Sequence, residues 1–153
     1  ILHPQRTLQR LNRDFCRQNL GKHLTLFYGI IDLKQNTMHY SNAGQFPYPL
    51  QYDGRQVSTL ECRGRPLGLF DDAEFSVWQC QLPQEYVLVL VSDGILDLMS
   101  EAAMLQRYSA LLPDMTVADL DLDEITAGLD VLADQHLPDD IAFLLISMRT
   151  HHG

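Results

Sequence analysis

YVLVLVSDGILDLMSE, residues 86 to 101, is the stretch whose reading decides the fold. Tyr86 to Val91 is an unbroken apolar run rich in β-branched side chains. It is far too short to span a membrane and reads as a strand buried on both faces. Ser92-Asp93-Gly94 then turns the chain polar, and Ile95 to Met99 has the pattern of a short helix. A carboxylate delivered by the end of a buried strand, with Gly94 beside it to let the backbone turn, is rigidly held. A hard cation such as Mg²⁺ or Mn²⁺ asks for such a ligand. Asp-Gly is also a common turn pair, so this stretch alone leaves both readings open.

A second acidic turn, Asp139-Asp140, precedes Ile141 to Ile146, which reads as another strand buried on both faces. If the two strands are antiparallel neighbours, the end of one lies beside the start of the other. Asp93 and Asp139 then face each other. Carboxylates that close repel, and a bound divalent cation is the natural compensation.

Upstream, Pro4 suits the first turn of a helix that places Leu8, Leu11 and Phe15 on one face, with Gly21 just past its end. His23 to Leu33 reads as a strand central in its sheet, joined by a hairpin at Lys34–Thr37 to a strand over Met38–Asn42. Tyr48–Tyr52 and Arg55–Leu60 flank Asp53-Gly54, a tight-hairpin signal, and Glu74–Leu82 alternates as a further strand. Ser100 is expected to cap a helix running to about Leu112 that buries Met104, Leu105, Tyr108 and Leu111. Asp123 is the expected cap of a last helix with Ile125, Leu129 and Leu132 on one face. Helix, antiparallel-looking strands, two helices, strand: the order predicts an α+β fold forming one domain over residues 1–153.

With 153 residues, 46% of them hydrophobic, the chain has enough apolar surface for a sizeable core. A net charge of −9 argues against nucleic-acid or anionic-membrane binding. There is no membrane-length apolar run and no signal-like start, and Cys16, Cys62 and Cys80 lack metal spacing. A cytoplasmic protein with reduced thiols is the expectation. Arg63 and Arg65 in CRGRPLGL, residues 62–69, are candidates to receive substrate phosphate, against the plainer reading of solvated loop arginines. His23, His39 and His136 have no zinc-type spacing, and residues 119–130 fail as a calcium loop because Glu124 stands where the turn needs glycine.

Several motifs in order carry a resemblance. SDGILDLMSE is similar to the serine-aspartate-glycine motif of the metal-dependent protein phosphatases, the type 2C superfamily. YSNAGQFPYPLQYDGRQVSTLECRGRPLGLF resembles the segment of its SpoIIE/RsbU branch built around Asn-Ala-Gly and Pro-Leu-Gly. PDDIAFLLI resembles the branch's closing Asp-Asp strand, and HPQRTLQRLNRDF its Leu-Asn helix. The resemblance covers residues 4 to 148 and implies an antiparallel β-sandwich flanked by helices. It further implies a two-metal Mn²⁺ or Mg²⁺ site whose bridging water attacks a phosphoserine or phosphothreonine. Carried over, Asp93 and Asp139 are metal ligands with catalytic roles and Asp140 a further metal candidate. Asn42, Gly44 and Gly94 shape the surroundings of the site.

The resemblance implies a phosphatase output domain behind a receiver or sensor domain, acting on a phosphoprotein such as an anti-sigma-factor antagonist. The alternative is an inactive, RssB-like adaptor that binds a sigma factor or its regulator. The family's first metal motif, Gly-Asp-x-x-Gly-His-Gly, is absent before the helix at Pro4, so the chain is expected to be N-terminally truncated. Gln45 replaces a usual His, Gln84-Glu85 a usual Gly-Asp, and Ala142 a usual Thr.

Overall fold

The computed structural model describes residues 3–129 and 139–150. They form an α+β arrangement of antiparallel sheets and helices, as expected, divided into two compact units whose segments alternate along the chain. The first comprises Ile1–Gln45 and Cys62–Leu82; the second comprises Phe46–Glu61 and Pro83–Gly153.

In the first unit, helix α1 (Pro4–Gln18) starts with proline where no backbone donor is required. It ends at Asn19, which takes the left-handed conformation at φ 46°. Gly21, the expected stop, comes two residues later. Asparagine tolerates that region well and supplies the cap itself. A three-stranded sheet follows in the order β1 (Leu26–Asp32), β2 (Thr37–Ala43), β5 (Trp78–Gln81). Asp32 Oδ1 accepts from the Lys34 and Gln35 amides and so shapes the β1–β2 hairpin.

Two expectations are corrected here. β1 lies at an edge among the described residues, and β2 is the central, buried strand. The apolar alternation of β1 marks two half-covered faces. β5 is also shorter than the pattern suggested, because Glu74–Val77 lies outside the ladder. Leu8, Ala43, Leu67 and Phe75 form one core cluster of this unit.

The second unit contains a four-stranded sheet in the order β4 (Val57–Thr59), β3 (Leu50–Tyr52), β6 (Tyr86–Val91), β7 (Phe143–Met148). The β3–β4 hairpin closes on Asp53, whose Oδ1 accepts from the Arg55 and Gln56 amides at 2.8 Å each. β6 is central and buried nearly throughout, as its composition required. Among the described residues β7 is an edge strand, and Leu144 is 55% exposed, which corrects the expectation of burial on both faces. A continuous apolar run does not separate a central strand from an edge strand.

Helix α2 (Glu101–Leu111) is capped by Ser100, whose hydroxyl accepts from the Ala103 amide at 3.1 Å. Met104 and Tyr108 are its buried residues, whereas Leu111 is exposed. Helix α3 (Leu122–Ala127) is capped by Asp121 rather than Asp123, through the Glu124 amide at 2.9 Å. Leu132 and His136 lie outside the described residues. The core of the unit joins Leu50, Tyr52, Val87, Val89 and Val91 to Ile95, Met104, Tyr108, Leu112, Val117, Leu120, Ile125 and Leu129. Each such large side chain contributes about 1.5–3 kcal/mol by leaving water. Two buried tyrosines keep their hydroxyls satisfied: Tyr52 donates to the Met115 carbonyl at 2.6 Å and Tyr108 to that of Ile125 at 2.7 Å.

Candidate active site

β6 and β7 are antiparallel neighbours, with Val91 opposite Phe143. The end of one strand therefore lies beside the start of the other. Beyond the ladder, the Ser92 amide donates to the Ala142 carbonyl at 2.9 Å, and the Ala142 amide donates to Ser92 Oγ at 2.8 Å. The chain then enters a 3₁₀ turn, Asp93–Asp97, with Asp93 as its first residue. A side chain at Gly94 would put its Cβ 2.4 Å from the Asp140 carbonyl oxygen. Only glycine permits that approach, which is why the Asp-Gly pair has to be read as packing as well as turn chemistry.

The register thus brings the Asp93 turn against Asp140-Ile141, one step from Asp139. All three aspartates are solvent-exposed. One oxygen of Asp139, Oδ1, accepts from the Asp140 amide at 2.8 Å, which fixes the second turn. In kind, these donors fit a hard divalent cation: carboxylate oxygens on backbone held by two strand ends. In number they do not complete a site, because among the described residues no three His, Cys, Asp or Glu side chains gather as a metal would require.

Asn42 and Gly44 belong to the first unit and build a different feature. Asn42 is buried, and its carboxamide is fully engaged. Nδ2 donates to the carbonyls of Gln45 (2.9 Å) and Cys62 (2.7 Å), and Oδ1 accepts from the Gln45 amide at 3.0 Å. Gly44, at φ +75°, lies so close to the Pro66 ring that a Cβ would sit 2.7 Å from it. Gly64 is tighter still, since a Cβ there would meet the Asn42 carbonyl oxygen at 1.8 Å. These contacts hold the loop that carries Arg63 and Arg65. Both arginines are exposed, and the Arg65 guanidinium sits 4.6 Å from the centre of the Phe70 ring.

The far end of that loop is fixed by Asn12, buried in the middle of α1. Its Oδ1 accepts from the Gly68 amide and its Nδ2 donates to the Phe70 carbonyl, both at 2.8 Å. The sequence held a signal for this residue: an amide four positions after Leu8 on the apolar stripe must find partners when it is buried. No comparable local signal marked Gly64, because its partner lies in β2.

Burial pushes the Tyr40 hydroxyl up to about 12, with smaller contributions from neighbouring Cys80 and Cys62. Burial raises Cys16, Cys80, Tyr52 and Tyr108 as well. No low-pKa nucleophile arises among these groups.

The antiparallel α+β frame is shared with a known family, and the chain belongs to that family. The family described as Stage II sporulation protein E (SpoIIE) matches residues 2–149. The chain is 26% identical to the phosphoserine phosphatase RsbP of Bacillus subtilis, over 97% of its own length and 38% of that protein. To the phosphoserine phosphatase RsbU of the same organism it is 30% identical over 69% of its own length and 32% of that protein. It therefore spans well under half the length of these curated relatives.

Among solved structures, the RsbU and RsbW domains of a Mycobacterium tuberculosis protein match 95% of this chain. The TM-score is 0.71 with 22% identity, over 41% of that chain. The manganese-presoaked phosphatase domain of the cell fate determinant SpoIIE from Bacillus subtilis matches 84% of this chain and 58% of its own. There the TM-score is 0.60 with 19% identity. These likenesses identify the fold as that of the SpoIIE-type phosphatase domains.

Proposed function

We propose that the chain is the catalytic module of a Mn²⁺- or Mg²⁺-dependent serine/threonine protein phosphatase. Its substrate is a regulatory phosphoprotein of the anti-sigma-factor-antagonist kind. The observation that supports this most is the pairing of β6 with β7, which joins the acidic turns at Asp93 and Asp139-Asp140 within a chain of this family. Asp93, with Asp139 or Asp140, would hold the cation. When bound, the cation supplies Lewis acidity toward water and phosphoryl oxygen.

The remaining work falls to the chain itself. Gly94 and the Ser92–Ala142 bonds fix the backbone from which Asp93 projects. Arg63 and Arg65, on a loop fastened at both ends, offer positive charge to an anionic substrate. Among the described residues no helix is long and apolar enough to cross a membrane. A cytoplasmic module regulated by an attached receiver or sensor domain accords with this reading.

The test is phosphate release from a phosphoserine protein by the intact parent protein, with and without Mn²⁺, beside Asp93→Asn. Mn²⁺-dependent release by wild type, lost in the variant while its thermal unfolding stays within about 0.5 kcal/mol, is the expected outcome. A folded wild type that releases nothing would overturn the enzyme reading and leave a binding module.

A further inference from the structure

We infer that Ser92 is the positioning residue of the candidate metal site: its hydroxyl stands in for a main-chain carbonyl and thereby fixes the direction of Asp93. The inference rests on the phosphatase reading above. At the pair that follows Val91 and Phe143, an ordinary antiparallel ladder would exchange two main-chain bonds between residues 92 and 142. Only one is made, from the Ser92 amide to the Ala142 carbonyl at 2.9 Å. The reciprocal donor, the Ala142 amide, goes to Ser92 Oγ at 2.8 Å.

The Ser92 carbonyl is thereby released from the sheet, and it accepts from the Ile95 amide at 3.3 Å, opening the 3₁₀ turn. One residue therefore ends a strand and begins a helical turn while both the Ser92 and Ala142 amides stay bonded, and Asp93 is the first residue past that switch. The backbone of Ser92 is extended (φ −70°, ψ 161°), which threonine adopts readily.

Alanine at 92 leaves two options. The Ala142 amide loses its acceptor, or the carbonyl swings back into the ladder and the turn unwinds. Either one moves Asp93 relative to Asp140, and carboxylate ligands tolerate only about 0.5 Å of such movement. Threonine keeps the oxygen. The proposal is therefore specific to a hydroxyl at this position.

The experiment compares wild type, Ser92→Ala and Ser92→Thr in the intact parent protein. Three quantities are read: Mn²⁺ binding by the loss of the free-ion electron-spin signal, the Mn²⁺ concentration for half-maximal phosphate release, and exchange of the Ala142 amide. Ser92→Ala should need about tenfold more Mn²⁺ by both metal readouts, the loss expected for one hydrogen bond, and the Ala142 amide should exchange at least about tenfold faster. Ser92→Thr should return all three to within about twofold of wild type.

Equal impairment by alanine and threonine, or an unchanged Mn²⁺ requirement in a folded Ser92→Ala, would overturn the positioning role. Should wild type release no phosphate, the enzyme reading fails by itself. The hydroxyl's role is then judged on Mn²⁺ binding and on Ala142 exchange, and no change in either for Ser92→Ala overturns it.

Discussion

Replacing Gly94 with alanine perturbs the candidate site with a single methyl group. The added Cβ would sit 2.4 Å from the Asp140 carbonyl oxygen, 3.2 Å from its carbon and 3.3 Å from Ile141 Cγ1. To reach even 3.0 Å, the two turns must part by about 0.6 Å, and by about 1.0 Å to reach an ordinary 3.4 Å contact. Backbone is struck on one side and backbone carries the methyl on the other, so no side chain can swing away. Overpacking of this kind costs about 1–3 kcal/mol, or roughly 2–12 °C in melting temperature for a chain of this size.

The effect on metal should exceed the effect on stability. The separation forced on Asp93 and Asp140 is larger than the roughly 0.5 Å a ligand set tolerates. Mn²⁺ titrations followed by phosphate release, run beside thermal melts, should show a requirement raised at least about tenfold in a protein that still folds. A Gly94→Ala protein that melts like wild type and has the same Mn²⁺ dependence would refute both the close approach and its bearing on the site.

Two further expectations follow from the first unit. Gly64→Ala places a Cβ 1.8 Å from the Asn42 carbonyl oxygen and must dislodge the Cys62 carbonyl from Asn42 Nδ2. A loss of about 2–5 kcal/mol should appear as a lower urea midpoint, and an unchanged midpoint would remove Asn42 as the anchor of the loop. In alkali, Tyr40 stays protonated in the folded chain to about pH 12, whereas the unfolded chain ionises it near pH 10. The folded form then holds more protons, so stability falls as pH rises from about 10 to about 12. Urea midpoints across that window should drop less steeply in Tyr40→Phe than in wild type.

The motifs made the class and the candidate-site end of the second sheet readable, because they are local: an apolar run, an Asp-Gly break, an Asp-Asp turn. β6 and the Ser100 cap came out as read for the same reason. What escaped was nonlocal. Whether β1 and β7 are central or edge depends on which strands lie beside them, and half-covered apolar faces look alike in either place. Asp121 and Asp123 are equally good caps by type, and only the helix start decides between them. The Ser92 hydroxyl drew no separate reading, because its partner amide is fifty residues away. The Arg63–Arg65 loop showed its charges in the sequence and none of its fastenings, which come from Asn12 and Asn42.

The alternation of segments between the two units bears on how the protein comes into being. The chain leaves the first unit at Phe46, returns at Cys62 and leaves again at Pro83, so neither unit is one continuous stretch of polypeptide. A ribosome has to release residues well past Pro83 before the second sheet can pair β3 with β6, and residues past Phe143 before β7 can join them. Contacts of such long sequence separation carry a loop-closure cost and slow folding. Cutting the gene anywhere between residues 46 and 82 divides at least one unit. The smallest piece that can inherit either sheet whole is therefore one that inherits the other's strands as passengers.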